Sequence, residues 1–271
     1  MASAVRAFIA AHRDNRYLER LAKLSWQYLL AYRNFDYDAR TNGEFRVLEA
    51  LASLEPRCIF DVGANIGNWT AHATAVAPGA FIHCFEIVPS VAAELTRRFV
   101  NRPAIRVNPV GLADRPGTVD VMFYPDHPEL SSMLDVPLNF APDIAREVVA
   151  ADVTTGDAYC GDNGIEEIDL LKIDTEGKEL DVLRGFSELL EAGRVRMVQF
   201  EYGFGSVYTK DLLRDFYEYF DARGYVVGKV FPRSVDLRAY TVTDEDFTGP
   251  NYVAVKHDDL ALARILRRGA R

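Results

Sequence analysis

The chain has 271 residues, 49% hydrophobic and 26% charged, which fits one large globular domain and excludes a disordered chain or a disulfide-stapled miniprotein. Its net charge of −9 is uneven: residues 41–259 hold twenty basic against thirty-six acidic side chains, a body that repels phosphate backbones and argues against nucleic acid as a partner. Cys58, Cys84 and Cys160 form no Cys-x-x-Cys pair and suit a reducing compartment; the N-terminus, interrupted by Arg6, Arg13 and Arg16, lacks the apolar core of a secretory signal, and no apolar run is long enough to span a bilayer. A cytoplasmic protein is expected.

Residues 4–32 predict a helix, with Phe8, Leu18, Leu21, Ser25, Tyr28 and Leu29 at three- and four-residue intervals, and 45–54 a second that stops at Pro56. Both are expected to pack on the sheet edge of the domain that follows or to cover one of its openings. From Arg57 the pattern becomes strand 58–62, helix 66–77, strand 80–85, helix 90–100 and strand 105–110, the order of a parallel sheet with helices on both faces. Residues 118–124 read as a strand or hairpin in the loop layer. The Pro-, Asp- and Ser-rich stretch 125–147, with Ser131-Ser132-Met133, reads as a functional loop. Strands are expected again at 147–153, 168–173 and 195–201, helices at 178–190 and 210–223, and two strands, antiparallel at one sheet edge, at 225–231 and 251–255.

The sharpest local feature is Phe60-Asp61-Val62-Gly63-Ala64-Asn65-Ile66-Gly67-Asn68-Trp69-Thr70. A strand runs into a glycine turn and then a helix, which puts the turn at the carboxyl edge of the sheet, where open α/β folds bind ligands. A dinucleotide site wants Gly-x-Gly-x-x-Gly here, but Asn65 and Asn68 occupy its second and third glycine positions. Asp61 also places a negative charge where a pyrophosphate would lie, and suits a ligand with an amino group. Glu86 ends the second strand, where a carboxylate can accept bonds from two ribose hydroxyls. Together these residues describe S-adenosylmethionine: Asp61 near the amino acid end, Gly63, Ala64, Asn65 and Gly67 beneath the methionine and ribose, Glu86 on the ribose, with Thr70 and Ile87 completing the expected contacts.

The chain resembles the FkbM-type family of S-adenosylmethionine-dependent methyltransferases. The likeness lies in Asp61-Val62-Gly63-Ala64-Asn65-Ile66-Gly67, in Phe85-Glu86 with Pro89, and above all in Asp169-Leu170-Leu171-Lys172-Ile173-Asp174-Thr175-Glu176-Gly177, and covers roughly residues 57–257. The resemblance implies a class I methyltransferase (Rossmann-like) α/β fold: a doubly wound seven-stranded sheet, mostly parallel with an antiparallel edge strand. It also implies methyl transfer to oxygen, commonly on sugars, glycolipids or polyketide-type natural products. The expected division is a helical extension over 1–55, the methyltransferase domain over 56–258 and a basic tail over 259–271.

Asp174 and Glu176 emerge at the carboxyl end of one strand and Glu201 at the end of the next, so three carboxylates converge near the expected methyl group. Asp174 is the first candidate base, with Glu176 and Glu201 in support; Glu176 could instead serve the N-terminus of the helix at 178–190. Lys172 points inward and needs an ion-pair partner, Glu201 or Asp174. The carboxylates could hold Mg²⁺, which is not favoured, and the scattered His12, His72, His83, His127 and His257 show no zinc spacing. His127, in the 125–147 loop, could offer an imidazole base, and Tyr202, Phe204 and Tyr208 could stack on an acceptor or join the core. The N-terminal helix, with Arg264, Arg267, Arg268 and Arg271, offers a surface for an anionic membrane or a second copy in a homo-oligomer. Competing readings are a nicotinamide-dependent oxidoreductase and a non-catalytic binding or scaffold protein that keeps the fold.

Overall fold

Short apolar runs with period-two alternation bury both faces of a central sheet. The computed structural model describes residues 2–135, 144–248 and 250–267. Its strands are β1 (Cys58–Val62), β2 (Phe81–Phe85), β3 (Ile105–Asn108), β4 (Gly111–Leu112), β5 (Gly117–Phe123), β6 (Glu147–Thr154), β7 (Ile168–Ile173), β8 (Val195–Glu201), β9 (Tyr225–Phe231), β10 (Ser234–Leu237) and β11 (Asn251–Lys256). Eight form one sheet in the order β10-β9-β11-β8-β7-β1-β2-β3. Strands β3, β2, β1, β7 and β8 are parallel; β11 runs antiparallel between β8 and β9, and β10 antiparallel outside β9.

The doubly wound, mostly parallel α/β sheet is the class I methyltransferase arrangement anticipated above, with two differences. There are eight strands in it, not seven, and the reversed strand expected at the edge lies inside. The antiparallel edge is β10, a hairpin partner of β9 that short, charge-bearing Ser234-Val235-Asp236-Leu237 does not advertise. Strand β6, expected to resume the main sheet, instead pairs with β5 from Gly117↔Val153 to Phe123↔Glu147 and with β4, making a separate three-stranded sheet. Val121 and Ala151 of that sheet bury against Val88 and Val91, which fixes it beside the carboxyl edge of the main one.

The helices are α1 (Ala2–Ala11), α2 (Arg16–Tyr32), α3 (Glu44–Ala52), α4 (Asn68–Val76), α5 (Pro89–Arg98), α6 (Gly156–Asn163), α7 (Glu179–Arg184), α8 (Ser187–Glu191), α9 (Phe204–Thr209), α10 (Leu213–Asp221) and α11 (Leu260–Arg267). One sheet face, with Phe60, Leu171 and Phe200, packs against α7, α8 and α10; the other, with Ile59, Leu170 and Met197, packs against α3, α4 and α11. Each side chain so buried contributes roughly 1.5–3 kcal/mol. The helix expected at 4–32 is two, because the Asn15 side chain accepts from the N–H groups of Tyr17 and Leu18 and starts α2 afresh. That expected at 178–190 breaks at Gly185, where a Cβ would lie 2.1 Å from the Ala113 carbonyl oxygen.

Leu48 and Leu51 of α3, and Leu262 and Leu266 of α11, are fully buried, so these two helices pack as part of the body. Helix α2 buries no residue: Tyr17, Leu21, Leu24, Trp26, Tyr28 and Tyr32 are all exposed. Arg267 donates to the Leu237 carbonyl; Arg268 and Arg271 lie outside the described residues, as do positions 136–143 of the 125–147 loop. No described helix is long and apolar enough to cross a membrane.

Candidate active site

Strand β1 stops where its chain must pass against the end of β7. A Cβ at Gly63 would lie 1.8 Å from the Asp174 carbonyl oxygen, and the residue has φ +76°, so only glycine fits. Gly63 and Ala64 both donate to the Phe85 carbonyl, and Gly67, at φ +83°, turns the chain into α4. Glu86 lies across this loop, 6% exposed: one carboxylate oxygen accepts from Asn65 N–H at 2.8 Å and the other from Val88 N–H at 2.9 Å. Burial raises its carboxyl above the usual range, while the two N–H donors pull the other way.

A cleft opens over the loop. Of the residues expected to hold a cofactor, Gly63, Asn65, Glu86 and Ile87 line it. Asp61, Ala64, Gly67 and Thr70 do not. Asp61 is fully buried behind the wall, where it accepts from the Thr70 hydroxyl at 2.6 Å and lies 3.2 Å from the Lys172 ammonium. The rest of the lining includes apolar Phe85, Leu112 and Met133, and acidic Glu129, Asp174 and Glu176.

Lys172 bridges Asp61 and Asp174, with the second ion pair at 3.1 Å; of the two partners expected for it, the structure supplies Asp174 and not Glu201. Burial works against the ammonium, but Asp174, Asp61 and Glu44 outweigh it and its pKa is raised. Glu44, at the start of α3, was invisible as a site residue in the sequence. It accepts from Asn251 at 3.5 Å, and burial, reinforced by Asp174 and Asp61 against Lys172, pushes its carboxyl up to about 7.

Beyond Asp174 the chain reverses through Glu176 at φ +54° and Gly177 at φ +105°. A non-glycine residue in that region carries strain, and such positions cluster at functional sites. The turn is held by Glu179, whose carboxylate accepts from Thr175 N–H, Thr175 hydroxyl and Gly177 N–H, so Glu179 does the work open to Glu176 at this helix start. Glu176 is thereby free to join Asp174 and Glu201, the three bringing carboxylate oxygens within 4.8 Å of one another, a spacing open to a hard cation or a shared proton. Burial, and next the Asp174 charge, raise both Glu176 and Glu201 above the ordinary carboxylate range.

A second cavity shares Ser132 and Glu176 with the first. The Ser132 hydroxyl donates to the Glu176 carbonyl at 3.0 Å and so ties the 125–147 loop to the acid turn. Tyr37, Tyr124, Phe204, Leu134 and Glu201 are among its walls. Burial of the Tyr37 hydroxyl end, with Glu201 and Glu176 close by, pushes that phenol up to about 12. Tyr202, by contrast, is core: it is fully buried, stacks on Phe247 and donates to Glu245 at 2.6 Å. Tyr208 packs edge-on against Phe204. His127 lines neither cavity; it is half exposed and lies 3.0 Å from a Glu129 carboxylate oxygen.

Comparison with known proteins places names beside this geometry. The family described as the methyltransferase FkbM domain matches residues 61–227. The 31-O-demethyl-FK506 methyltransferase FkbM of Streptomyces tacrolimicus is 32% identical over 165 residues, covering 52% of this chain and 63% of that protein. The 2-O-methyltransferase NoeI of Sinorhizobium fredii is 27% identical over 165 residues, covering 57% and 66%. The chain thus spans less than two thirds of either relative. A solved structure of methyltransferase FkbM from Methylobacillus flagellatus shares 18% identity, with a TM-score of 0.47 over 74% of this chain and 43% of that one. With the family match running through the glycine loop, Glu86, the acid turn and Glu201, the chain belongs to the FkbM family of methyltransferases.

Proposed function

We propose that the protein is an S-adenosylmethionine-dependent O-methyltransferase acting on a hydroxyl of a sugar, glycan, glycolipid or natural product. The observation that carries this reading is the pair of adjoining cavities with Glu176 in the wall of both. The first fits the cofactor: Glu86 sits buried beside the glycine loop with lone pairs left for ribose hydroxyls, Phe85, Leu112 and Met133 offer an apolar bed, and Asp174 and Glu129 face a cationic ligand. Bound there, S-adenosylmethionine supplies an electrophilic methyl on a sulfonium, the S–C bonding pair returning to sulfur. The printed names of two relatives, both O-methyltransferases, support oxygen as the acceptor atom.

In this reading the second cavity holds the alcohol, and Glu176 accepts the hydroxyl proton as the new O–C bond forms. Glu176 takes precedence over Asp174 as base because Asp174 is tied to Lys172, whereas Glu176 spans both cavities and its raised carboxyl makes a more competent base near neutral pH. Asp61 acts through Lys172 as a positioning group. Broken glycine spacing and the acids lining the first cavity disfavour a dinucleotide. Calorimetry with S-adenosylhomocysteine tests the donor site, and transfer of isotope-labelled methyl to an acceptor pool tests the chemistry. Folded protein that binds no S-adenosylhomocysteine would overturn the reading.

A further inference from the structure

Three facts about the second cavity are unused by the chemistry above. Among its described lining residues there is no Lys or Arg, and Lys172, on the far side of Asp174 in the ion-pair chain, is buried and paired to Asp174 and Asp61. The acids in the wall are unequal. Glu179 is committed to three donors of the turn, Glu176 belongs to both cavities, and Glu201 lines this one alone, its carboxylate accepting no hydrogen bond from any described residue. The same cavity is lined by Tyr37, Tyr124 and Phe204, from three separate segments. Glu201 is half-buried in the cavity wall, and an acid there with no donor from the protein is open to one from a ligand. Aromatic faces beside an acid are the usual surroundings of a bound organic cation.

We propose that the second cavity selects an alcohol carrying an ammonium group close to the hydroxyl that is methylated, an amino sugar or similar amino-polyol, with the ammonium on Glu201 between the three rings. This rests on the donor reading and deepens it by giving the acceptor a charge. The same surroundings exclude acceptors bearing carboxylate or phosphate, because no positive group is there to receive them.

The test uses the full chain saturated with S-adenosylhomocysteine and three oligosaccharides of equal length: a glucosamine trimer, its N-acetylated counterpart and a galacturonate trimer. Titration calorimetry at neutral pH is expected to give the glucosamine trimer about tenfold tighter binding than the neutral trimer, with none for the anionic one. Glu201→Gln should reduce that preference to under about threefold while S-adenosylhomocysteine affinity stays as in wild type, which shows the variant folded. Phe204→Leu, at a half-exposed position, should weaken the glucosamine trimer more than the neutral one. Equal binding of the two, binding of neither, or a preference that survives Glu201→Gln would overturn the proposal. So would Mg²⁺ binding to wild type that Glu201→Gln abolishes, since the charge would then belong to a metal. Failure of S-adenosylhomocysteine itself to bind would instead sink the donor reading.

Discussion

Replacing Lys172 by Met tests the architecture beneath the candidate site. The Lys172 side chain is 5% exposed and the Asp61 side chain 0%, and the ammonium 3.2 Å away is the counter-charge for an Asp61 oxygen that accepts no hydrogen bond. Lys172→Met keeps the volume and leaves that carboxylate buried and unpaired, which costs about 3–5 kcal/mol. Asp174, with 35% of its side chain exposed, can hydrate and adds little. Adding Asp61→Asn removes the stranded charge, and the double variant should recover about half of the loss. Because the Lys172 pKa is raised, its stabilisation is complete below the ordinary lysine range and fades only above it, so the comparison holds throughout neutral pH. Guanidinium unfolding followed by circular dichroism reads these differences. A single variant that loses less than about 1 kcal/mol, or a double variant no more stable than the single, would refute the reasoning.

Three further outcomes follow from the same geometry. Glu86→Gln gives up one of the bonds to Asn65 and Val88 N–H, and should weaken S-adenosylhomocysteine about 10–100-fold by calorimetry; an unchanged affinity would remove Glu86 from the site. Methyl transfer should rise with pH along an acid limb set by the Glu176–Glu201 pair, with Asp174, Glu179, Glu44 and Lys172 also acting on it. Asp174→Asn, by removing the like charge that acts most strongly on Glu176, should move that limb about one unit lower, and an unmoved limb counts against Glu176 as base. Glu44, raised to about 7, favours the folded state fully below its ordinary carboxyl range and progressively less as pH climbs through 7. Wild type should therefore lose on the order of 1–3 kcal/mol between pH 5 and 8 that Glu44→Gln does not lose, and parallel profiles would contradict this.

What could be read from the chain divides along a physical line. The glycine loop, Glu86 and the Asp174–Glu176 turn are contiguous stretches whose geometry follows from local rules, and their placement at one sheet edge follows from parallel strand order. Register between distant strands is not local. Asp61 faces Lys172, and Lys172 faces Gln199, because β1, β7 and β8 align that way, so the burial of Asp61 behind the cleft could not be seen beforehand. Tyr37 reaches the second cavity, and Glu44 the surroundings of the Lys172 ion pairs, only through tertiary packing, and β6 chose β5 over the main sheet through a ladder of seven pairs. Tyr202 and Phe204 differ by two positions yet separate into core and cavity wall where the chain leaves β8.

The two cavities are made of different stuff. The first is lined where β1, β2 and β7 end, by Val62, Gly63, Phe85, Glu86 and Asp174 among others, while the second takes in Tyr37, Tyr124, Phe204 and Pro250 from segments far apart in sequence. In the proposed reading, exchanges at positions 37, 124 or 204 retune the acceptor site without touching the main sheet.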